Sequence, residues 1–369
     1  MEQLLLLMDA NCMMGKWKAI SLTRGGTGLS HMMFADDVIL LGEANKEQAQ
    51  TIKICLQEFC EASGQKVSME KSRIYFSPNT NEAVIAEVCN TLGIPKTDEL
   101  GCYLGVPTIT GRVTKATFRG VIERVENRLA GWRAKCLSLA GRITLIQSTL
   151  STIPAYVMQS ARIPRSVCDM LDTRIRRFLW GGTSMDRKPH LVKWDTMIKD
   201  KAQGGLGLRS MRHLNSAFNM KLGWRLNTEP TAIWTRLLKE KYCRGRDLSS
   251  MAGRVSSCSN AWRGILDTKA LLNQGVGMEI GDGRHTEFWN HKWLDGKVLS
   301  QQALRPIPDE QHRYRVCDYW QRGMGWNWEQ LAQLLPAEIL KRTASFELMD
   351  EQVGDKPNMA WEQSREIRR

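Results

Sequence analysis

Two adjacent carboxylates interrupt an apolar run near the start of the chain, and they constrain its local fold strongly. Residues 31–42 read HMMFADDVILLG, with Asp36 and Asp37 at the centre. A buried carboxylate is costly unless it is paired or bound to a metal, and Asp is rare inside strands but common in turns. The pattern therefore predicts a β-hairpin in which strands 31–35 and 38–41 flank the two acids at or beside its tip. The acids then form either a solvated turn or an oxygen-ligand site for a divalent cation.

The first 111 residues alternate helical and strand-like patterns. Apolar spacing and terminal glycines predict helices over residues 1–14, 45–63 and 82–92. Short strands are predicted over residues 16–22, 67–69, 72–76 and 100–106. Hairpins that alternate with helices indicate the α+β class, with an antiparallel sheet and helices on one of its faces.

The net charge of +13 is concentrated in the middle of the chain. Residues 112–254 contain 28 Lys and Arg against 10 Asp and Glu, a net charge of +18, whereas the remaining residues carry −5. A folded block with this charge suggests a surface that meets a polyanion. We favour nucleic acid as that polyanion; the alternative is a basic face that serves only solubility.

Three helices are predicted at the start of this basic block. The first carries an apolar stripe at helical spacing, formed by Phe118, Ile122, Val125, Leu129 and Trp132. The second covers residues 138–151 and ends before Pro154, and the third begins after Pro164 and runs to Trp180. The residues expected to contact nucleic acid lie on the first and third helices: Lys115, Arg119, Arg124, Arg128, Arg174, Arg176 and Arg177.

The remainder of the chain is helical at first and then rich in tryptophan. Residues 183–254 are predicted to form a helical connector, with a glycine turn at 204–207. Residues 255–369 are expected to be partly irregular and contain Trp289, Trp293, Trp320, Trp326 and Trp328. These rings could stack on bases, but we favour packing in a core.

Cysteine spacing and hydropathy exclude several classes of site. The chain has 10 cysteines and no CxxC pair, so we expect reduced thiols and no structural zinc site. No signal peptide is recognised and no apolar run is long enough to span a membrane. We therefore expect a nuclear or cytoplasmic protein that is not secreted and has no membrane partner.

Three motifs, in order, resemble those of reverse transcriptases. FADD at 34–37, followed by an apolar strand, resembles the catalytic hairpin of these enzymes. GQKVSMEKS at 64–72 resembles the motif that comes next, and YLGVP at 103–107 resembles the primer-grip hairpin. Further segments are similar to the polyproteins of plant LINE-type non-LTR retrotransposons, at 131–156, 204–211, 218–226, 262–266 and 280–294. An intron-maturase-like reverse transcriptase shares the Ala-Asp-Asp hairpin, but these further segments favour the plant retroelements.

The resemblance implies an RNA-directed DNA polymerase that uses an RNA template, a DNA primer and dNTP substrates, with Mg²⁺ or Mn²⁺ as cofactor. It implies that Asp36 binds the metal ions with the help of Asp37. Lys71 would approach the triphosphate and could protonate the leaving pyrophosphate. The primer terminus would be seated by Leu104, Gly105 and Val106.

The position of the motifs predicts an interior piece of such a polyprotein. In the family, fingers and another catalytic Asp precede the FADD motif, whereas only 35 residues precede Asp36 here. We therefore expect a partial palm over 1–111, a thumb over 112–182, a connector over 183–254 and a C-terminal region over 255–369. Without the upstream Asp, the chain is expected to be inactive alone. The alternatives are a non-catalytic nucleic-acid-binding remnant and a nonfunctional pseudogene product.

Overall fold

A computed structural model describes residues 1–131, 136–181, 189–245, 248, 257–321, 323–348 and 353–359. They form helices and small antiparallel sheets, which confirms the α+β class. The chain divides into two compact units. The first comprises Met1–Trp194, Leu208–Asn215 and Pro230–Trp262, and the second comprises Asp195–Gly207, Ser216–Glu229 and Arg263–Arg369. The division into four regions stays a prediction.

The helices and strands follow one another along both units. The helices are α1 (Glu2–Met13), α2 (Lys46–Ser63), α3 (Glu82–Leu92), α4 (Arg119–Gly131), α5 (Leu139–Leu145), α6 (Thr152–Met158), α7 (Arg165–Leu179), α8 (Trp194–Met197), α9 (Met211–Thr228), α10 (Ile233–Leu238), α11 (Asn260–Gly275), α12 (Trp328–Leu334) and α13 (Ala337–Thr343). The strands are β1 (Ile20–Ser21), β2 (Gly28–Leu29), β3 (His31–Phe34), β4 (Asp37–Leu40), β5 (Cys102–Tyr103), β6 (Val106–Pro107), β7 (Val276–Glu279), β8 (Trp320–Gln321), β9 (Gly325–Trp326) and β10 (Lys356–Met359). Of the described helices, none is long and apolar enough to cross a membrane.

A small core between α1 and α2 supports the first hairpin. Its buried residues are Leu4, Met8, Trp17, Cys55 and Phe59. The Asn45 side chain caps α2 by accepting a hydrogen bond from the Gln48 amide at 2.7 Å, and Gly64 ends the helix with a φ of 70°. Met33 of β3 and Leu40 of β4 pack against this core. The predicted helices 1–14 and 45–63 are therefore confirmed, and their core holds one face of the β3–β4 ribbon.

The sheet predicted for the first 111 residues is a set of separate two-stranded ribbons. β1 pairs with β2, β3 with β4, and β5 with β6, each in antiparallel order. The strand predicted over 16–22 contracts to Ile20–Ser21, and the one predicted over 100–106 is a hairpin whose strands are β5 and β6.

Residues 67–76 contain a turn at 69–71 and are otherwise irregular, in place of the two predicted strands. The Ser72 amide and hydroxyl both donate to the carbonyl of Ser68, at 3.0 and 2.8 Å. Such local serine hydrogen bonds compete with the pairing that a strand requires. Ile74 keeps an isolated parallel bridge to Lys96. The strands predicted over 67–69 and 72–76 were therefore wrong.

The helices that follow differ from the prediction at one proline. Of the predicted apolar stripe, Phe118 and Val125 are fully buried and Ile122 and Leu129 are half-buried, whereas Trp132 lies outside the described residues. The helix predicted over 138–151 is divided into α5, a π-helical turn at Ile146–Leu150, and α6, which continues through Pro154. The predicted end before Pro154 was wrong, because this proline lies in the first turn of α6, where its missing N–H needs no partner. The helix predicted after Pro164 is confirmed as α7.

The second unit is built around aromatic side chains. Trp289, Trp293 and Trp326 are buried, Trp320 is half-buried and Trp328 is exposed. The indole N–H of Trp289 donates to the Tyr319 hydroxyl at 2.9 Å, and that of Trp293 donates to the Phe288 carbonyl at 2.8 Å. Core packing is thus confirmed for the three buried tryptophans.

The glycine turn at 204–207 is confirmed and has a steric reason. Gly204 and Gly207 have φ values of 79° and 64°. A Cβ on Gly205 would lie 2.0 Å from the Lys199 carbonyl oxygen, so this position tolerates no side chain.

Candidate functional site

The hairpin that carries the two carboxylates closes with a turn of two residues. Phe34 and Asp37 pair across β3 and β4, so Ala35 and Asp36 form the turn. Ala35 has a φ of 53°, which costs a residue with a side chain on the order of 1 kcal/mol. A positive φ at the first turn position alone is typical of type II′, whose twist suits paired strands. The predicted hairpin is confirmed, and Asp36 lies at its tip.

The two faces of the β3–β4 ribbon have different surroundings. Met33 lies on the face that packs against the small core between α1 and α2. Phe34 and Met32 lie on the other face and are 62% and 41% exposed. Because directly paired residues share a face, the Asp37 side chain stands on the exposed face beside Phe34. Both Asp36 and Asp37 are exposed, so the carboxylates and the apolar face are accessible together.

The two carboxylates fit a metal ion that shares its ligands with a substrate. Asp36 and Asp37 supply hard oxygen donors at the two-residue turn that closes the hairpin. Among the described residues, no group of three or more His, Cys, Asp and Glu is gathered in a way that could hold a metal. Mg²⁺ is usually bound through one or two carboxylates together with water and substrate phosphates. The pair therefore suits an ion that is bound together with a phosphate-bearing ligand.

Lys71 lies on the turn at 69–71, and its side chain is exposed. Its amide donates to the Ser68 carbonyl at 3.2 Å. Within the part of the chain that the structure describes, its ammonium makes no ion pair with Asp36 or Asp37. The structure thus leaves this lysine in solvent, and its role stays a prediction.

The hairpin β5–β6 presents a second tight turn, at Leu104 and Gly105. Their φ values are 49° and 75°, the pattern of a type I′ turn. The Tyr156 hydroxyl donates to the Leu104 carbonyl at 2.7 Å, and the Arg124 guanidinium donates to the Gly105 carbonyl at 3.3 Å. Val106 is half-buried in β6. Two helices, α4 and α6, therefore hold the turn of the predicted primer grip.

The two hairpins are electrostatically coupled through Tyr103. Partial burial raises the pKa of the Tyr103 phenol, and the negative charge of Asp37 raises it further. A charge acts on a phenol in this way only over a short distance. Tyr103, at the base of the second hairpin, therefore lies within electrostatic range of Asp37.

The predicted basic residues divide into two groups. The first group lies on α4 or just before it and is exposed; we call it the α4 side, and it consists of Lys115, Arg119, Arg124 and Arg128. On α7, Arg174 forms an ion pair with Glu126, and the Arg176 guanidinium lies 5.7 Å from the centre of the Trp194 ring. Arg177 is half-buried. Of the predicted basic residues, those on and just before α4 are therefore more accessible to a polyanion than those on α7.

The loop at 280–286, which begins the segment 280–294, surrounds a carboxylate of the same chain. Asp355 accepts hydrogen bonds at 2.8 to 2.9 Å from the amides of Gly281, Gly283 and His285 and from the Thr286 hydroxyl. Burial acts to raise the pKa of Asp355, but these hydrogen bonds outweigh burial and keep that pKa below its usual value. The loop thus anchors β10, which pairs with β7.

Tyr156 and Asp355 were not among the residues that the sequence singled out. Tyr156 closes the segment 131–156, which marked the region but not its partner at Leu104. Asp355 carries no local signal, because its donors lie about 70 residues earlier in the chain.

No family model matches the chain. It is 37% identical over 229 residues, 61% of this chain, to the Arabidopsis thaliana protein named "Putative ribonuclease H protein At1g65750", of which it spans 37%. It is 31% identical over 156 residues, 42% of this chain, to the Arabidopsis thaliana protein named "Uncharacterized mitochondrial protein AtMg00310", of which it spans 98%. The chain belongs to the family of this mitochondrial protein. Both relatives come from a plant, in line with the resemblance to plant polyproteins.

Proposed function

We propose that this chain is part of an RNA-directed DNA polymerase of a plant non-LTR retrotransposon, and that the Asp36–Asp37 turn forms the metal-binding edge of its polymerase site. The observation that carries the proposal is the Asp36–Asp37 turn, which presents both carboxylates to solvent on a hairpin closed by two residues. A second tight hairpin, at Leu104 and Gly105, is held by two helices, and its Tyr103 lies within electrostatic range of Asp37. The order of the three motifs along the chain and the name of the ribonuclease H relative support a protein that acts on nucleic acid.

In this proposal, Asp36 and Asp37 hold Mg²⁺ or Mn²⁺ together with phosphate oxygens of the incoming dNTP. The bound ions supply charge neutralisation at the reacting phosphate. Lys71, exposed in the structure, approaches the triphosphate when the nucleotide binds. Residues 104–106 seat the 3′ end of the DNA primer on its RNA template.

The exposed basic residues on the α4 side would hold the template–primer duplex. Lys115, Arg119 and Arg128 are exposed and make no ion pair with a described residue. Contacts with phosphates give affinity that does not depend on sequence and that weakens with salt. The α4 side is therefore the proposed duplex-binding surface.

Metal binding tests the catalytic part of the proposal. We would titrate the chain with Mn²⁺, detected by electron paramagnetic resonance, with and without a dNTP. Binding should be weak alone and stronger with the dNTP, because the phosphates complete the ligand set. Asp36→Asn should abolish that gain, whereas Asp98→Asn, an exposed Asp outside the hairpin, should not. A gain that survives Asp36→Asn would contradict the proposed metal site.

Duplex binding tests the nucleic-acid part. We would measure the affinity for an RNA–DNA duplex by fluorescence anisotropy between 50 and 300 mM salt. Over this range the Debye length falls to roughly half of its starting value. Replacing Lys115, Arg119 and Arg128 by alanine should reduce the salt slope by roughly one unit for each phosphate that is no longer neutralised. Lys53→Ala, an exposed lysine on α2, is the control. Binding that ignores salt, or an equal effect of Lys53→Ala, would refute the proposed surface.

A non-catalytic role in binding nucleic acid is the second candidate. Among the described residues, no third metal-ligating side chain joins the two carboxylates of the hairpin, which favours this role. Salt-dependent duplex binding without dNTP-dependent Mn²⁺ binding would select this role.

The names of the two relatives carry over to this chain only in part. We propose no ribonuclease H activity, because the chain spans 37% of the relative so named. The other relative is named as a mitochondrial protein, whereas a nuclear or cytoplasmic location stays the prediction for this chain.

A further inference from the structure

The turn at Leu104 and Gly105 needs support from outside the hairpin. The strands on either side of it, β5 and β6, contain two residues each. Leu104 carries a side chain at a φ of 49°, a conformation that is unfavourable for it. A two-residue ribbon with a strained turn is not stable by itself. The conformation of this turn therefore depends on the groups that contact it.

Two side chains from two different helices supply that support. Tyr156, on α6, donates from its hydroxyl to the Leu104 carbonyl at 2.7 Å. Arg124, on α4, donates from its terminal guanidinium nitrogen to the Gly105 carbonyl at 3.3 Å. The Nε of Arg124 donates to the Gly120 carbonyl of its own helix at 3.2 Å, which fixes the guanidinium in place. Both carbonyls of the turn are thus bound to helix-borne donors.

We propose that Arg124 and Tyr156 are positioning residues that hold the Leu104–Gly105 turn where it receives the 3′ end of a DNA primer. This inference rests on the proposed function. The turn lies at the tip of the hairpin that the resemblance assigns to the primer grip, and both of its carbonyls accept hydrogen bonds from these two side chains. Arg124 therefore acts mainly through a backbone carbonyl, and not as one more charge for phosphates.

The test compares two nucleic acids that differ in one feature. The first probe is an RNA template annealed to a DNA primer with a recessed 3′ end. The second has the same duplex sequence closed by loops at both ends, so that it has no 3′ terminus. The ratio of the two affinities, the end preference, responds to a primer-seating turn. It does not respond to charge that acts uniformly along the duplex.

Each positioning variant is paired with a matched control. Tyr156→Phe removes one hydroxyl, and Tyr75→Phe removes a hydroxyl that makes no described hydrogen bond. Arg124→Ala removes a guanidinium from α4, and Arg128→Ala removes one from the next turn of the same helix. We expect Tyr156→Phe and Arg124→Ala to lower the end preference by roughly two- to ten-fold, the range of one lost hydrogen bond. Arg128→Ala should weaken binding to both probes by the same factor.

A double-mutant cycle tests whether Arg124 and Tyr156 act on the end preference through the same turn or independently of each other. Because Arg124 and Tyr156 hold the same turn, their combined variant should lower the end preference by less than the product of the two single effects. The combination of Arg128→Ala with Tyr156→Phe should be multiplicative. Thermal melting of each variant, with Tyr156→Phe keeping the ring, checks that the fold is retained.

The outcomes separate this inference from the function on which it rests. A chain without end preference, or without salt-dependent duplex binding, would overturn the proposed function and this inference with it. A wild-type end preference that persists in Tyr156→Phe and Arg124→Ala would overturn only the positioning role. Loss of affinity for both probes by the same factor would also overturn it and would make Arg124 a phosphate ligand.

Discussion

A buried carboxylate on α7 allows a quantitative prediction about stability. Asp172 is 6% exposed, and it accepts a hydrogen bond from the Met211 amide at 2.9 Å. Burial raises the pKa of its carboxyl to about 6, although hydrogen bonds from Met211 and Ser210 act in the opposite direction. Asp172→Asn keeps the size and one acceptor of the side chain but removes its charge. We expect this variant to be more stable than the wild type at neutral pH.

The magnitude follows from the difference between the folded and unfolded pKa. The unfolded value is 3.8 and the folded value is about 6, which corresponds to about 3 kcal/mol at 1.36 kcal/mol per unit. Between pH 4 and 6 the folded state retains the proton that the unfolded state has lost, so wild-type stability falls as the pH rises. Asparagine does not titrate. The advantage of Asp172→Asn should therefore grow from near zero at about pH 3 to about 3 kcal/mol at about pH 7 and above.

Native-state hydrogen exchange of α7, measured by mass spectrometry and corrected for the intrinsic exchange rate, reports the local free energy of opening. Asp169→Asn is the control on the same helix. The hydrogen bond from Arg212 keeps the pKa of Asp169 below its usual value, so this second variant should lose stability above pH 4. If Asp172→Asn instead loses stability at pH 7.5, the hydrogen bonds and the positive end of α9 outweigh burial, and the reasoning fails.

Three further changes have expected outcomes. Gly281→Ala places a Cβ 1.9 Å from the Val353 carbonyl oxygen. In urea unfolding, this variant should lower the stability of the second unit by roughly 1–3 kcal/mol. Gly354→Ala is the control, because a Cβ at that position meets no atom within 4 Å. Asp355→Ala leaves its four donors without their acceptor and should increase hydrogen exchange in β10, and unchanged exchange would refute the anchoring role. Asn45→Ala removes the N-cap of α2 and should lower thermal stability by about 1 kcal/mol, measured by circular dichroism.

The features that the sequence predicted well are those governed by neighbouring residues. The apolar spacing of 45–63 and the glycine at 64 were enough to predict α2 with its end, because both signals lie within the helix itself. The hairpin around Asp36 followed from the turn chemistry of Asp between two apolar runs. Local interactions can also defeat a local prediction. Strands were expected around residues 68–72, but the hydrogen bond from the Ser72 hydroxyl to the Ser68 carbonyl favours a turn there.

Proline gave a signal whose meaning depended on position. Before Pro154, the sequence predicted a helix end, although proline is also well suited to the first turn of a helix. The π-helical turn at Ile146–Leu150 shifted the start of α6 so that Pro154 fell into that first turn. The sequence contains no marker for that shift.

The α+β class, the main helices, the carboxylate hairpin and the concentration of positive charge in the middle of the chain all follow from the order of the residues. The hydrogen bonds by which Tyr156 and Arg124 hold the second turn, and by which Asp355 anchors the loop at 280–286, are visible in the folded chain but not in the sequence. This difference arises because the partners are far apart along the chain. A hydrogen bond between residues 52 or 74 positions apart forms only when tertiary folding brings the two residues together. The local preferences of neighbouring residues do not specify such a long-range contact.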